Sequence, residues 1–273
     1  MTDDTDKRGE LALALACMQA SPQDDAARLA FYGALADSEL FLMLEAEAEA
    51  EAGPGQLRPR LFDLAEGRVA LVFDSEAGLA DFAAQPVGYA ALPGRVLVAM
   101  MAGEKLAMLV NPGSEDAAFL PPEALRWLAD TLAAPAPSQA SARAAGFGPP
   151  ALDAAALARL RPALERRLSG VPGLKAAVLA TARWEAGEEG LVLALSGVPE
   201  LARPPLARAV AEALVLSGLE EGALDVIFPS GPAMASIVQA GLHLSPAPCE
   251  PPAAEAAPPA APGMDPTRPP RLR

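Results

Sequence analysis

Between Pro59 and Gly113 the chain alternates short apolar runs with strong turn signals, and this stretch constrains the fold more than any other. Leu57–Leu64, Arg68–Phe73 and Leu106–Val110 are short and rich in Leu, Val and Phe, which predicts strands rather than helices. Glu66-Gly67, Pro93-Gly94 and Asn111-Pro112-Gly113 punctuate them. Residues 57–73 read as a hairpin turning at Ala65-Glu66-Gly67. Asp74 reads as the cap of a helix over 75–84, with Leu79 and Phe82 inward, and a further helix is expected from about Pro93 to Ala102.

The flanking segments complete this unit. Residues 8–19 predict a helix with Leu11, Leu15 and Met18 on one face and Cys17 beside it. Ser21-Pro22-Gln23-Asp24 reads as a helix start, with Ser as N-cap, Pro at the first position and an acid at the third. That helix runs to about Asp37, with Leu29, Tyr32 and Leu35 as its stripe, and Leu40–Glu45 follows as a buried strand. The glutamate comb EAEAEAE from Glu45 spreads like charges around any helix, so it reads as a solvated loop. Phe119-Leu120 adds a short strand, and Pro121-Pro122 opens a helix over 123–133.

Residues 134–150 shift to Ala, Pro, Ser and Gly, the composition of a linker. The order after it is helix (153–169, with Pro162 predicting a kink or two short helices), strands at 174–184 and 190–197, and helix 204–217. A strand at 224–228, a helix at 231–240 and an edge strand at 242–244 follow. From Pro246 proline density precludes regular structure. The reading is α/β to α+β, two domains, each a mixed β-sheet flanked by helices. The divisions are 1–133, a linker at 134–150, a second domain at 151–246 and a disordered tail at 247–273.

Charge narrows the function classes. The net charge is −14, which disfavours phosphate backbones and anionic membrane surfaces, so neither nucleic acid nor membrane is an expected partner. No apolar run is long enough to span a bilayer, and the polar, acidic N-terminus does not read as a signal peptide. Two cysteines far apart, Cys17 and Cys249, fit a reducing compartment, so a cytoplasmic location is expected.

The catalytic inventory is nearly empty. The dinucleotide, P-loop, HExxH and CxxC motifs are all missing, so no cofactor and no metal is expected. His243 is the single histidine and alternates with Leu242 and Leu244, which reads as a solvent-facing position. Two candidate surfaces remain. One is the loop set Tyr89, Leu92, Pro93, Gly94 and Arg95 with Asn111 and Gly113, where exposed turn backbone and a tyrosine suit recognition of a protein partner. The other is a cleft of Asp63, Asp74 and Arg95, suited to a small molecule or to acid–base chemistry.

Five segments carry a family resemblance: Pro59-Arg-Leu-Phe-Asp63, Val69-Ala-Leu-Val-Phe-Asp74, Tyr89-Ala-Ala-Leu-Pro-Gly94, Leu109-Val-Asn-Pro-Gly113, and Leu120-Pro-Pro-Glu123 with Trp127. Their set and spacing resemble the N-terminal domain of the bacterial SseB family, the enhanced-serine-sensitivity proteins, over about residues 10–133. Residues 151–246 resemble that family's C-terminal domain. The resemblance marks no catalytic residue. The expectation is a non-enzymatic interaction or regulatory module with a protein partner, and a homo-oligomer joined through the sheet edge or the second domain is the open alternative.

Overall fold

Apolar residues one turn apart nucleate the first layer in the computed structural model, which describes residues 3–45, 57–64, 67–114, 117–134, 144–185, 187–219 and 224–247. Leu11 and Leu15 on helix α1 (Asp3–Ala20) are fully buried, each contributing roughly 2 kcal/mol, while Cys17, two residues beyond Leu15, is exposed. Helix α2 (Asp25–Asp37) starts three residues later than Ser21-Pro22 predicts. The Asp24 carboxylate accepts the Ala26 N–H at 2.9 Å and so takes the N-cap, leaving Ser21–Asp24 as a turn.

The first sheet comprises β1 (Glu39–Met43), β2 (Leu61–Leu64), β3 (Gly67–Phe73), β4 (Tyr89–Pro93), β5 (Ala107–Val110) and β6 (Ala118–Leu120). Its order is β4-β1-β3-β5-β6, with β2 also on β3. Only β3 and β5 run parallel; β1–β3, β1–β4, β2–β3 and β5–β6 are antiparallel. The predicted hairpin is therefore present as β2–β3. Between strands come α3 (Glu76–Ala83), α4 (Gly94–Glu104) and, last, α5 (Pro122–Ala133). Ser75, not Asp74, caps α3, its hydroxyl accepting the Gly78 N–H at 3.2 Å.

The two faces of this sheet are covered unequally. Ala70 and Val72 join the large core formed with α1, α2, α4 and α5. Val69, Leu71 and Phe73 alternate to the other side, where α3 supplies Leu79 and Ala83. Helix α4 begins hard against α2: a Cβ on Gly94 would lie 1.8 Å from the Leu35 carbonyl oxygen. Glycine is required there for backbone contact.

The second sheet comprises β7 (Ala144–Gly148), β8 (Ala176–Trp184), β9 (Glu189–Ser196), β10 (Leu224–Ile227) and β11 (Leu242–His243), in the order β10-β9-β8-β11 with β7 also on β8. Here β9 and β10 are parallel. The end of the expected linker is thus a strand. Ala-Ala-Gly-Phe-Gly has little β-propensity of its own, and pairing with β8 and packing of Phe147 supply what it lacks. Helices α6 (Ala154–Leu168), α7 (Arg203–Leu216) and α8 (Pro232–Ala240) flank this sheet. Pro162 lies inside α6, which runs as one helix rather than two. The glutamate comb beyond Glu45, the turn at 65–66, Cys249 and the Pro-rich tail from 248 lie outside the described residues.

Ions and one leucine join the two sheet layers. Leu216 of α7 enters the first core and packs over Gly33 of α2. Beside it, Asp37 Oδ1 accepts from Arg167 Nη1 at 2.5 Å and from Arg95 Nη2 at 3.1 Å. Glu212 on α7, its side chain 3% exposed, lies 3.6 Å from Arg167, 3.7 Å from Arg95 and 3.8 Å from Arg208. A buried carboxylate requires such compensation. Replacing Glu212 by Gln is expected to cost about 3 kcal/mol in urea denaturation, because three guanidinium groups lose a buried counter-charge. A loss below about 0.5 kcal/mol would show that solvent already screens the cluster.

Two residues before Arg167 on α6, Glu165 Oε1 accepts the Ser245 N–H at 2.9 Å and Arg161 Nε at 3.0 Å. The Ser245 N–H holds the carboxyl below its ordinary range, opposed by burial and assisted by Arg161. A depressed carboxylate contributes stability that is present above its unfolded pKa and lost as pH falls through the folded one. The stability difference between wild type and Glu165→Gln is expected to be constant near neutrality and to shrink on acidification below about pH 4.5, read from melts across pH.

Candidate functional site

The residues nominated from sequence separate into different environments. Asp63 on β2 stands opposite Arg68, and Asp74 lies six residues farther along β3. At about 3.3 Å per residue this separates the carboxylates by roughly 20 Å. Arg95 is engaged elsewhere, with Asp37 and Glu212. The expected cleft of Asp63, Asp74 and Arg95 is therefore not assembled: strand extension carries its members apart, and a long-range ion cluster claims the arginine.

Asp74 and Asn111 instead form a reciprocal pair at the carboxyl ends of the parallel strands β3 and β5. The Asp74 N–H donates to Asn111 Oδ1 at 3.0 Å, and Asn111 Nδ2 donates to Asp74 Oδ2 at 2.9 Å. The Asn111 N–H closes on the Val72 carbonyl at 2.8 Å. Asn111 adopts φ of 48°, a left-handed conformation that asparagine tolerates better than most residues. Gly113, at φ of 82°, lies against the Phe82 ring. Asn111 is thus a structural clip. Asn111→Ala is expected to lower stability by about 2 kcal/mol through the unpaired Asp74 and the strained φ. Asn111→Gly, which removes the strain alone, should recover part of that loss in the same denaturation series.

The strand Tyr89–Pro93 has a different character. β4 is an edge of the first sheet, paired to β1 with Phe41 opposite Ala91. The Gly94 N–H donates to the Ser38 carbonyl, and the Leu44 N–H to the Gly88 carbonyl. Antiparallel ladders alternate, so Ala90 and Leu92 direct their N–H and C=O toward β1. The N–H and C=O groups of Tyr89 and Ala91 point to the open side, with no hydrogen-bond partner among the described residues. Pro93, which lacks a donor, falls on the same outward parity, where a proline costs the ladder nothing. No charge occurs in Tyr89–Pro93, although charged side chains are a common protection of sheet edges. Leu92 packs half-buried on the large core, and Gly94 is buried against α2 and takes no part in an exposed surface.

Beside this edge lies the thinly covered sheet face. Phe41, Phe62, Phe73, Phe82, Tyr89 and Phe119 lie on it, from eight Phe, two Tyr and two Trp in the chain. Tyr89 is 39% exposed, its ring 5.7 Å from that of Phe41. A hydrogen bond to Glu76, then burial, raises the Tyr89 phenol above its ordinary range, so it stays a neutral donor at physiological pH. Phe82 and Phe119 are similarly exposed, and the Arg60 guanidinium sits 5.3 Å over Phe62. The arrangement offers backbone hydrogen bonds along one edge and flat apolar contacts beside it.

His243 is exposed, its Nε2 3.0 Å from the Val238 carbonyl. Tyr32, read as part of the apolar stripe of α2, is wedged between Phe31 and Trp127 with its phenol shifted up by burial. No described helix is long and apolar enough to cross a membrane. Residues 11–127 match the family described as SseB protein N-terminal domain. No curated protein matches the chain, and no solved structure does.

Proposed function

The chain belongs to the SseB family through its N-terminal domain, and we propose that it is a non-enzymatic interaction module that adds an extended segment of a protein partner to the outer edge of β4. The observation that carries this reading is the pair of outward-facing residues Tyr89 and Ala91 on an uncharged edge strand. An added strand satisfies those four backbone groups, and alternate side chains of the segment reach the aromatic face through Tyr89 and Phe41. Main-chain bonds supply affinity and the aromatic surface supplies selectivity. The partner segment is expected to be apolar at alternate positions and free of acidic runs, because the chain itself carries a net charge of −14.

Selection from a displayed library of linear peptides tests this. Binders are expected to slow amide exchange at Tyr89 and Ala91. Ala91→Pro removes only an outward N–H, so the β1–β4 ladder should persist while affinity falls at least about tenfold, or 1.4 kcal/mol. Peptides that bind Ala91→Pro as well as wild type, or a library that yields no binder, would overturn the proposal.

A further inference from the structure

A groove of about 200 Å³ lies between α2, α6 and α7, away from the β4 edge. Leu29, Ala30 and Leu216 line its apolar side, and Arg159, Arg166 and Arg167 stand around it. Three arginines at one opening are conspicuous in a chain of net charge −14. Arg167 is committed, its two terminal nitrogens on Asp37 and Glu212.

The other two retain donors. Arg159 Nε caps the end of α7 through the Ser217 carbonyl at 3.3 Å, and among the described side chains, which begin at Gly9, no carboxylate lies within 4.0 Å of it. Arg166 Nε meets Glu10 at 3.5 Å, with both side chains well exposed, so water and ions compete readily for that contact. A guanidinium presents donors in a planar fork that matches carboxylate and phosphate oxygens. The volume sets the remainder of the ligand. A cavity of about 150 Å³ accommodates benzene, so this one suits a ring-sized apolar body with an acid group. Full nucleotides need the larger pockets typical of cofactor sites, upward of about 300 Å³.

We propose that this groove binds a small organic anion. Its carboxylate or phosphate lies between Arg159 and Arg166, and its compact apolar body rests on Leu29, Ala30 and Leu216. Because α2 belongs to the first sheet's layer and α6 and α7 to the second's, the ligand fastens the junction, and its binding raises the melting temperature of the whole chain.

The test uses the full chain with benzoate and phenyl phosphate as probes and benzamide as the neutral control, at fixed ionic strength. Calorimetric titration is expected to show saturable binding of at least one acid and none of benzamide; the tighter acid tells a carboxylate ligand from a phosphate one. Arg159→Gln, on an exposed helix position, should weaken binding about tenfold or more, and Ala30→Phe, which fills the groove, should abolish it. Amide shifts on the unmodified protein should centre on Ala30 and Ala163 whatever the variants do. The proposal fails if neither acid saturates below about 10 mM, if benzamide binds equally, if Arg159→Gln leaves affinity unchanged, or if the shifts lie elsewhere.

Discussion

Glu212 is a carboxylate taken almost wholly out of water, and the junction between the two sheets depends on how it is compensated. Removing such a group from solvent costs several kcal/mol unless opposite charge surrounds it. Arg95, Arg167 and Arg208 do so, and Asp37 shares the first two. Asp37 ends α2 and Arg95 begins α4, whereas Arg167 and Glu212 belong to α6 and α7. The compensation is complete only when the two layers sit in one register, so the cluster selects a geometry as well as contributing energy. Arginine suits the task because one planar fork can bridge two carboxylates, which a lysine ammonium on its flexible stem does less well.

Unequal coverage of the first sheet has a second consequence. Four helices bury one face in a Leu-, Met- and Ala-rich core, and the short α3 serves the other. Aromatic side chains concentrate on that second face, where large flat rings cover strands that few helices reach. The sheet then ends at β4 with hydrogen-bonding capacity unspent. Under the proposed function, stability and recognition divide between opposite faces of one sheet. The arginine groove lies at a third place, at the layer junction, where closure leaves a gap because Ala30 and Gly33 are small.

Local patterns in the chain were sufficient for most elements. Short apolar runs placed β1, β3, β8 and β9, since strands covered on both faces are apolar at consecutive positions. Pro at the helix start placed α5, and an amphipathic pattern closed by Gly218 placed α7. Reading failed where a local signal had two outlets. Asp74 had the chemistry of a cap but paired across strands with Asn111, while Ser75 took the cap. Ala144–Gly148 had linker composition but acquired strand structure from its neighbour β8. Tyr89 was visible as a candidate for recognition, and Ala91 was not, because the outward direction of its backbone groups is defined only by the ladder with β1.

What the sequence determined by itself was the order of most helices and strands, the two-part organisation of apolar runs, and the poverty of catalytic motifs, all set by residue type and spacing along the chain; Tyr89–Pro93 and Ala144–Gly148, read as loop and linker, became strands only through pairing. Which charges meet was decided only by tertiary structure. Asp37 and Arg167 are 130 residues apart, and nothing local distinguishes them from other surface ions. Burial at the layer junction makes them partners, because a charge loses its indifference to neighbours only when water is removed from it.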